Sequence, residues 1–408
     1  MIALSGRWLV AILLAGAMTQ GAPVWAQTPA PAAAPEKKEE EKKPSLWDEF
    51  KLFSYIESSA TFNLHGRSRG IPGATSSGDT NLLRFYDIEE GFTFNMAEFS
   101  IKRDPNEAFP FGMGLVLTAG EDAQKNHSIG ILREETDAFP FRNTPRFDLQ
   151  EAYISGRIPV GNGLVLKAGK WVTLLGYEVI ESPSNLNFSR GYLFTLAIPL
   201  THTGVIASYN FTDWLSAQLG VVLGWDDSKN INHGVSFTGQ VALTPIKDLT
   251  TAVNFIVGPE QADNTRDYRY VIDLTATYTG IKSLTLGANV DYGAEDNDAF
   301  LVSIGRQDPD ARWYGVAGYV AYDWTEKLRT ALRQEWFRDE QGARTATAGG
   351  LTLLSTTATL QYAIWKGLVG RLEYRHDQGN ENVFKCGDSG CRSKSQDTLS
   401  VSLFYRFL

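Results

Sequence analysis

Apolar and polar side chains alternate along most of this chain in segments of about ten residues, the span that a tilted membrane β-strand requires. In 284–292, Leu284, Leu286, Ala288, Val290 and Tyr292 make one face, and Thr285, Gly287, Asn289 and Asp291 make the other. In 368–376, Leu368, Gly370, Leu372 and Tyr374 alternate with Val369, Arg371, Glu373 and Arg375. A period of two with one apolar and one polar face describes a strand between hydrocarbon and water. Sixteen such segments are expected, near 52–62, 91–103, 111–120, 147–157, 163–172, 203–211, 214–225, 234–244, 249–257, 270–279, 284–292, 312–322, 328–337, 350–364, 368–376 and 396–407. Three of them, 52–62, 91–103 and 147–157, are poorly phased, which leaves fourteen or eighteen strands open. In 91–103 the apolar face switches between Met96 and Phe99, so a bulge is expected near Ala97.

The connections sort by side. Those at 159–162, 212–213, 245–248, 280–283, 323–327 and 365–367 are short, with 104–110 slightly longer. Those at 63–90, 121–146, 173–202, 226–233, 258–269, 293–311, 338–349 and 377–395 alternate with them and are mostly long. This asymmetry predicts an all-β fold, a closed antiparallel transmembrane β-barrel with both termini on the short-turn side. Closure also removes exposed strand edges. Trp171, Trp225, Trp313 and Trp336 fall at loop-side strand ends and Trp214, Trp324 and Trp365 at turn-side ends, which predicts two interfacial girdles. A secreted β-sandwich would alternate too, but would sort neither turns nor tryptophans.

One interval breaks the pattern. Residues 173–203, TLLGYEVIESPSNLNFSRGYLFTLAIPLTHT, have no steady period and carry Tyr177, Glu178, Glu181, Asn185, Asn187, Arg190 and His202. The strand count makes 173–202 the third long loop. Folded inward, it would constrict the barrel; the alternative has it cover the outer mouth or pack its apolar run 192–200 on another protomer. Inward-facing positions include Lys167, Arg329, Arg333, Arg371, Arg375 and Arg406, with Asp273, Asp291, Glu335 and Glu373. A charge facing hydrocarbon near mid-bilayer would cost roughly 2 to 4 kcal/mol for Arg or Lys. The polar face is therefore wet or internally paired. If Glu178 and Glu181 faced part of the basic wall, the opposed charges would set up a transverse field for small polar or charged solutes. The same groups could instead pair and brace the wall.

The N-terminus changes the picture of location. Arg7, the apolar run 8–17 and the small-residue site Val24-Trp25-Ala26 predict a signal peptide over 1–26. Residues 27–44, Pro/Ala-rich and then charged, predict a disordered tether, followed by a barrel over 45–408 that begins with a turn capped by Ser45. The formal charge of −9, about −10 without the signal, argues against nucleic acid as a partner. No apolar run after the signal is long enough for a membrane helix.

Other chemistry is sparse. His65, His127, His202, His233 and His376 sit in or beside predicted loops, and no Ser or Asp set stands at a recognisable catalytic spacing to any of them. The expectation is no enzyme, no cofactor and no metal. Glu295-Asp296-Asn297-Asp298 reads as an exposed acidic loop and lacks a calcium-loop pattern. Cys386 and Cys391, in CGDSGC, predict a local disulfide in an exported protein.

NMAEFS (95–100), FDLQEAYIS (147–155), the run 163–194, THTG (201–204), GPEQ (258–261) and RLEYRHD (371–377) resemble the OmpL-like β-barrel porins of Gram-negative outer membranes. That resemblance spans most of the chain and implies an outer-membrane barrel with a passive transport role. The expected function is a porin for small hydrophilic or charged solutes, constricted by 173–202; a non-conducting surface or structural barrel whose long loops bind a partner is the alternative. Outer-membrane lipid surrounds such a barrel, and a homotrimer is one assembly open to it. The last strand, QDTLSVSLFYRFL, has the apolar row and terminal aromatic that barrel-assembly machinery recognises, although Leu408 follows Phe407.

Overall fold

The computed structural model describes residues 49–64, 86, 91–134, 144–347, 349–385 and 391–407. The expected signal peptide, the tether and Ser45 lie outside the described residues.

Sixteen strands form one closed antiparallel barrel. They are β1 (Lys51–Asn63), β2 (Gly91–Arg103), β3 (Phe111–Ala119), β4 (Phe147–Ile158), β5 (Leu164–Val172), β6 (Thr201–Thr212), β7 (Leu215–Val222) and β8 (Ser236–Ile246). The second half holds β9 (Leu249–Pro259), β10 (Tyr268–Ile281), β11 (Leu284–Glu295), β12 (Ala311–Asp323), β13 (Leu328–Asp339), β14 (Leu351–Trp365), β15 (Leu368–Gly379) and β16 (Ser395–Arg406). Each strand pairs with its chain neighbours, and β1 closes the ring on β16 with Ser59 opposite Ser402. Every expected segment corresponds to one strand, with ends shifted by a few residues.

The alternation decides which way each side chain points. Leu332, Leu372, Tyr374, Val401 and Leu403 are exposed on the outer face, whereas Arg333, Glu335, Arg371, Glu373 and Arg375 are buried on the inner one. Such a surface suits hydrocarbon, and a closed ring satisfies every strand's backbone without help from water. Among the described residues, no helix is long and apolar enough to cross a membrane.

Two expectations need correction. The bulge lies at Asn95, between Phe94 and Met96 opposite the Glu57/Ser58 step, two residues before Ala97. The extra residue lets Phe94 and Phe99 face outward while Met96 is buried. The tryptophan girdle holds on the turn side, where Trp214, Trp324 and Trp365 are exposed, and only in part on the loop side, where Trp336 lies on the outer face but Trp171 and Trp313 are buried. Trp313 donates its indole N–H to the Ala197 carbonyl at 3.1 Å and meets Trp225 edge-on at 6.4 Å. Near the loop-side end of β10 to β13, neighbouring aromatic pairs run Tyr270, Tyr292, Tyr314 and Trp336, with centroids 6.3, 6.3 and 5.6 Å apart.

Two short helices interrupt the loops, α1 (Glu121–Lys125) and α2 (Ala299–Ser303). Asp298 caps α2, its Oδ1 accepting from Leu301 N at 2.9 Å, and Glu295 pairs with both Nε and Nη2 of Arg269 at 2.7 and 2.9 Å. The 295–298 segment is therefore half engaged in structure; only Asp296 and Asn297 are exposed as expected.

Candidate functional site

The loop between β5 and β6 starts from a tight neck. Val172 pairs with Thr201, and Thr173 N donates to Leu200 O at 2.9 Å. His202, fully buried, adds a second closure. Its Nδ1 faces the Gly224 carbonyl at 3.2 Å, which can only accept, so in the neutral ring Nε2 accepts from the Thr173 hydroxyl at 3.0 Å. Asp226 Oδ1 caps the same neck by accepting from Leu200 N and Thr201 N, both at 2.8 Å.

Beyond the neck, the loop reaches inward-facing side chains of strands five to eight places round the ring from β5. Arg333 on β13 donates to Glu178 Oε1 at 2.5 Å and to Ser189 O at 2.6 Å. Glu335 accepts from Tyr192 N and Leu193 N, both at 2.7 Å, at the start of a single π-helical turn, Leu193–Ala197. A carboxylate there satisfies N–H groups that have no partner inside the turn. Glu373 on β15 accepts from Phe188 N at 2.6 Å and Ser189 N at 3.0 Å. Arg375 donates to Arg190 O at 2.7 Å and to Asp377 at 2.8 Å. Arg371 donates to Ser182 O at 3.0 Å, Ser182 Oγ at 2.6 Å and Glu57 on β1 at 2.6 Å. Arg406 donates to Pro183 O.

Arginine and glutamate thus play complementary parts: the cations collect loop carbonyls and the anions collect loop N–H groups. The irregular backbone needs them, because a buried amide without a partner is costly. Apolar packing adds to this, with Leu175, Ile180, Phe188, Leu193, Phe194, Ile198 and Leu200 all buried. Glycine permits the closest approaches. A Cβ at Gly191 would stand 2.5 Å from Glu335 Oε1, and one at Gly287 would stand 2.3 Å from the Tyr177 ring, which stacks on Tyr319 at 4.3 Å.

The remaining predicted residues lie elsewhere. Arg190 is buried over the Tyr86 ring at 4.3 Å, with its Nη1 3.6 Å from Asp122 of α1, so the loop is also held by its neighbour. Glu181 accepts from Gln150 Nε2 at 2.7 Å. Arg329 makes a bidentate pair with Asp323 at 2.6 and 2.8 Å near the turn side. Lys167 on β5 is part-exposed, with its ammonium 4.4 Å from the Tyr153 ring. Cys391 is disulfide-bonded; Cys386 lies outside the described residues. His127, His202 and His376 are bound to Phe147 O, to Gly224 O and Thr173, and to Asp397 respectively.

Sequence reasoning missed the binding partners Glu57, Ser182 and Ser189, and a run of polar side chains across six strands. Ser208 donates to Gln218 at 2.9 Å, Gln218 to Gln240 at 3.1 Å and Gln240 to Asn254 at 2.7 Å. Asn254 donates to Asp273, which also accepts from Asn289 at 2.6 Å, and Asn289 accepts from Tyr177 N at 3.2 Å. The first five of these residues stand directly opposite one another in the strand pairing, so correct registers would have found them.

Solved structures with this architecture include an anion-selective porin from Comamonas acidovorans (TM-score 0.57, 10% identity, covering 88% of this chain and 99% of that one). OprB of Pseudomonas putida is similar at TM-score 0.55 and 11% identity, over 89% of this chain and 95% of that one. OmpT of Vibrio cholerae is similar at TM-score 0.55 and 10% identity, over 88% and 97%. No curated protein matches the chain. The model of the family described as "Putative beta-barrel porin-2, OmpL-like" matches residues 71–407, and the chain belongs to that family of outer-membrane porins.

Proposed function

We propose that this porin is a passive diffusion channel for small hydrophilic or charged solutes, and that the loop 173–202 folds inward and sets its narrowest point. One observation carries the reading. The loop leaves the barrel at β5 and β6 and is held by inward-facing Arg333, Glu335, Arg371, Glu373 and Arg375 on β13 and β15. Between those walls its chain has to cross the lumen. His127 is bound to a backbone carbonyl and His376 to Asp397, while the one imidazole beside a hydroxyl, His202 on Thr173, is fully buried in the neck of the loop where a substrate cannot reach it, which supports transport rather than hydrolysis. A trimer form is described for OmpT of Vibrio cholerae, and trimeric assembly is proposed here on the fold alone. The C-terminal strand β16 is the segment offered to barrel-assembly machinery.

Complete burial of Arg333, Arg371 and Arg375 favours the second reading, a barrel closed inside. Planar-bilayer recording separates the two. Folded protein should carry an ohmic current, and replacing 177–197 by a short Gly-Ser linker should raise the unitary conductance. No current from folded protein would establish the closed barrel; unchanged conductance without the loop would remove its role as constriction.

A further inference from the structure

The inner wall divides into two unlike halves. On β13 to β16 and β1, Arg333, Glu335, Thr357, Arg371 and Glu57 are each at most 2% exposed, because the loop covers them. On β5 to β8, Lys167, Ser208, Gln218 and Gln240 face the same lumen and keep partial exposure. On β13 to β16 the inward-facing residues regain partial exposure only near the short turns, as at Arg329, Gln361 and Arg406, so the loop keeps water from the middle of that side and leaves the β5 to β8 side accessible.

That accessible side is built rather than merely left over. Ser208, Gln218 and Gln240 are linked side chain to side chain and anchored through Asn254 on the buried Asp273 carboxylate. A glutamine amide has two N–H donors and two acceptor lone pairs. Gln218 and Gln240 each use one N–H along the row, so each keeps one for a solute. The row is neutral and fixed in orientation.

Charge enters at its end. Lys167 is opposite Ile206 and Val165 is opposite Ser208, which makes Lys167 a diagonal neighbour of Ser208 on the inner face. Among the described residues Lys167 has no carboxylate at ion-pair distance and rests on the Tyr153 ring. Lys102, whose side chain is 26% exposed, is neutralised by Glu151 at 2.8 Å. The accessible half thus presents fixed amide donors and a cation that has no carboxylate at ion-pair distance among the described residues.

We infer that solutes pass along the β5 to β8 side of the lumen, where Lys167 and the Ser208–Gln218–Gln240 row favour small anions with several hydrogen-bonding oxygens. The buried arginines across the barrel hold the loop and do not select. This rests on the channel reading above and assigns its selectivity to residues outside the loop.

The test is a reversal-potential measurement in a KCl gradient on the full chain refolded in bilayers. Lys167→Glu should move the permeability ratio towards cations by about threefold, the scale for two unit charges acting on an ion across screened water; Lys167→Gln, the gentler variant, should move it the same way by less. Gln240→Cys should lose current on treatment with 2-sulfonatoethyl methanethiosulfonate, while Ser355→Cys, at a β14 position only 1% exposed on the covered wall, and the unaltered protein should not. Unchanged reversal potential in both lysine variants, insensitivity of Gln240→Cys, or modification of Ser355→Cys would each overturn the inference. Absence of current from the unaltered folded protein would instead overturn the channel reading beneath it.

Discussion

Arg333 and Glu178 meet at 2.5 Å, 155 residues apart in the chain, with the arginine side chain at 0% and the glutamate side chain at 3% exposure. The pair ties the loop to the wall opposite its origin. Breaking a buried pair leaves an uncompensated charge, so Arg333→Met alone should destabilise the barrel by roughly 3 to 5 kcal/mol. Arg333→Met combined with Glu178→Met should cost less than the two single changes added together. Urea unfolding of refolded protein, arranged as a double-mutant cycle, checks this; strict additivity would contradict it.

Glu335→Gln keeps the shape but replaces one carboxylate oxygen by an NH2 group that cannot accept, so one of the Tyr192 and Leu193 N–H groups loses its partner. The π-helical turn should loosen without loss of the barrel. Limited proteolysis should then cut within 185–197 faster than in the unaltered protein, with far-UV circular dichroism unchanged.

Gly287→Val should displace Tyr177 from its stack on Tyr319, because the added carbons occupy the ring's place. Tyr177 N would lose its bond to Asn289 with it. The measurable outcome is a lower melting temperature, with Gly287→Ala intermediate; equal melting temperatures would show that the ring has room to shift.

Outside the strands, burial and the nearby Glu260 and Asp226 carboxylates push Asp227 up to about 8, and burial pushes Glu260 up to about 6. Both values lie above those of the unfolded chain, roughly 4. The sign follows: the stabilisation they give is complete below about pH 4 and is lost as pH rises through 6 and then 8. Melting temperature should fall between pH 5 and 8.5, and Asp227→Asn should flatten the upper part of that fall.

Peptide mass analysis of the last long loop should find Cys391 in a disulfide before reduction and carrying a free thiol after it. Two free thiols before reduction would contradict the pairing with Cys386 expected from the sequence.

The strands were legible because one variable, inside or outside, alternates at every residue. The bulge was misplaced by two positions because the pattern 94–99 shows that a phase changes but not which residue is extra. Trp313 shows a different failure: its place at a strand end was correct, yet its phase with Ala311, Ala317 and Tyr319 puts it inside. End position alone cannot tell a girdle from a core. The charged wall was legible as inward-facing, and Glu178 was legible as a group that could meet it, as it does at Arg333; that Glu181 goes to Gln150 instead, and that the wall collects backbone groups of 182–193, was not, since nothing local specifies contacts made across a barrel. The polar row on β6 to β10 was within reach, because short turns set those registers.

Arg371 sits on β15 and Glu57 on β1, with β16 between them, and Ser182 of the loop completes the cluster. Such a junction cannot exist while the ring is open, because β1 and the terminal strand are then apart. Final seating of the loop is therefore tied in time to the zipping of the first strand onto the last. An assembly intermediate stalled one seam short of completion would keep this corner of the loop unfastened, and a protease acting near Ser182 would tell finished barrels from unfinished ones.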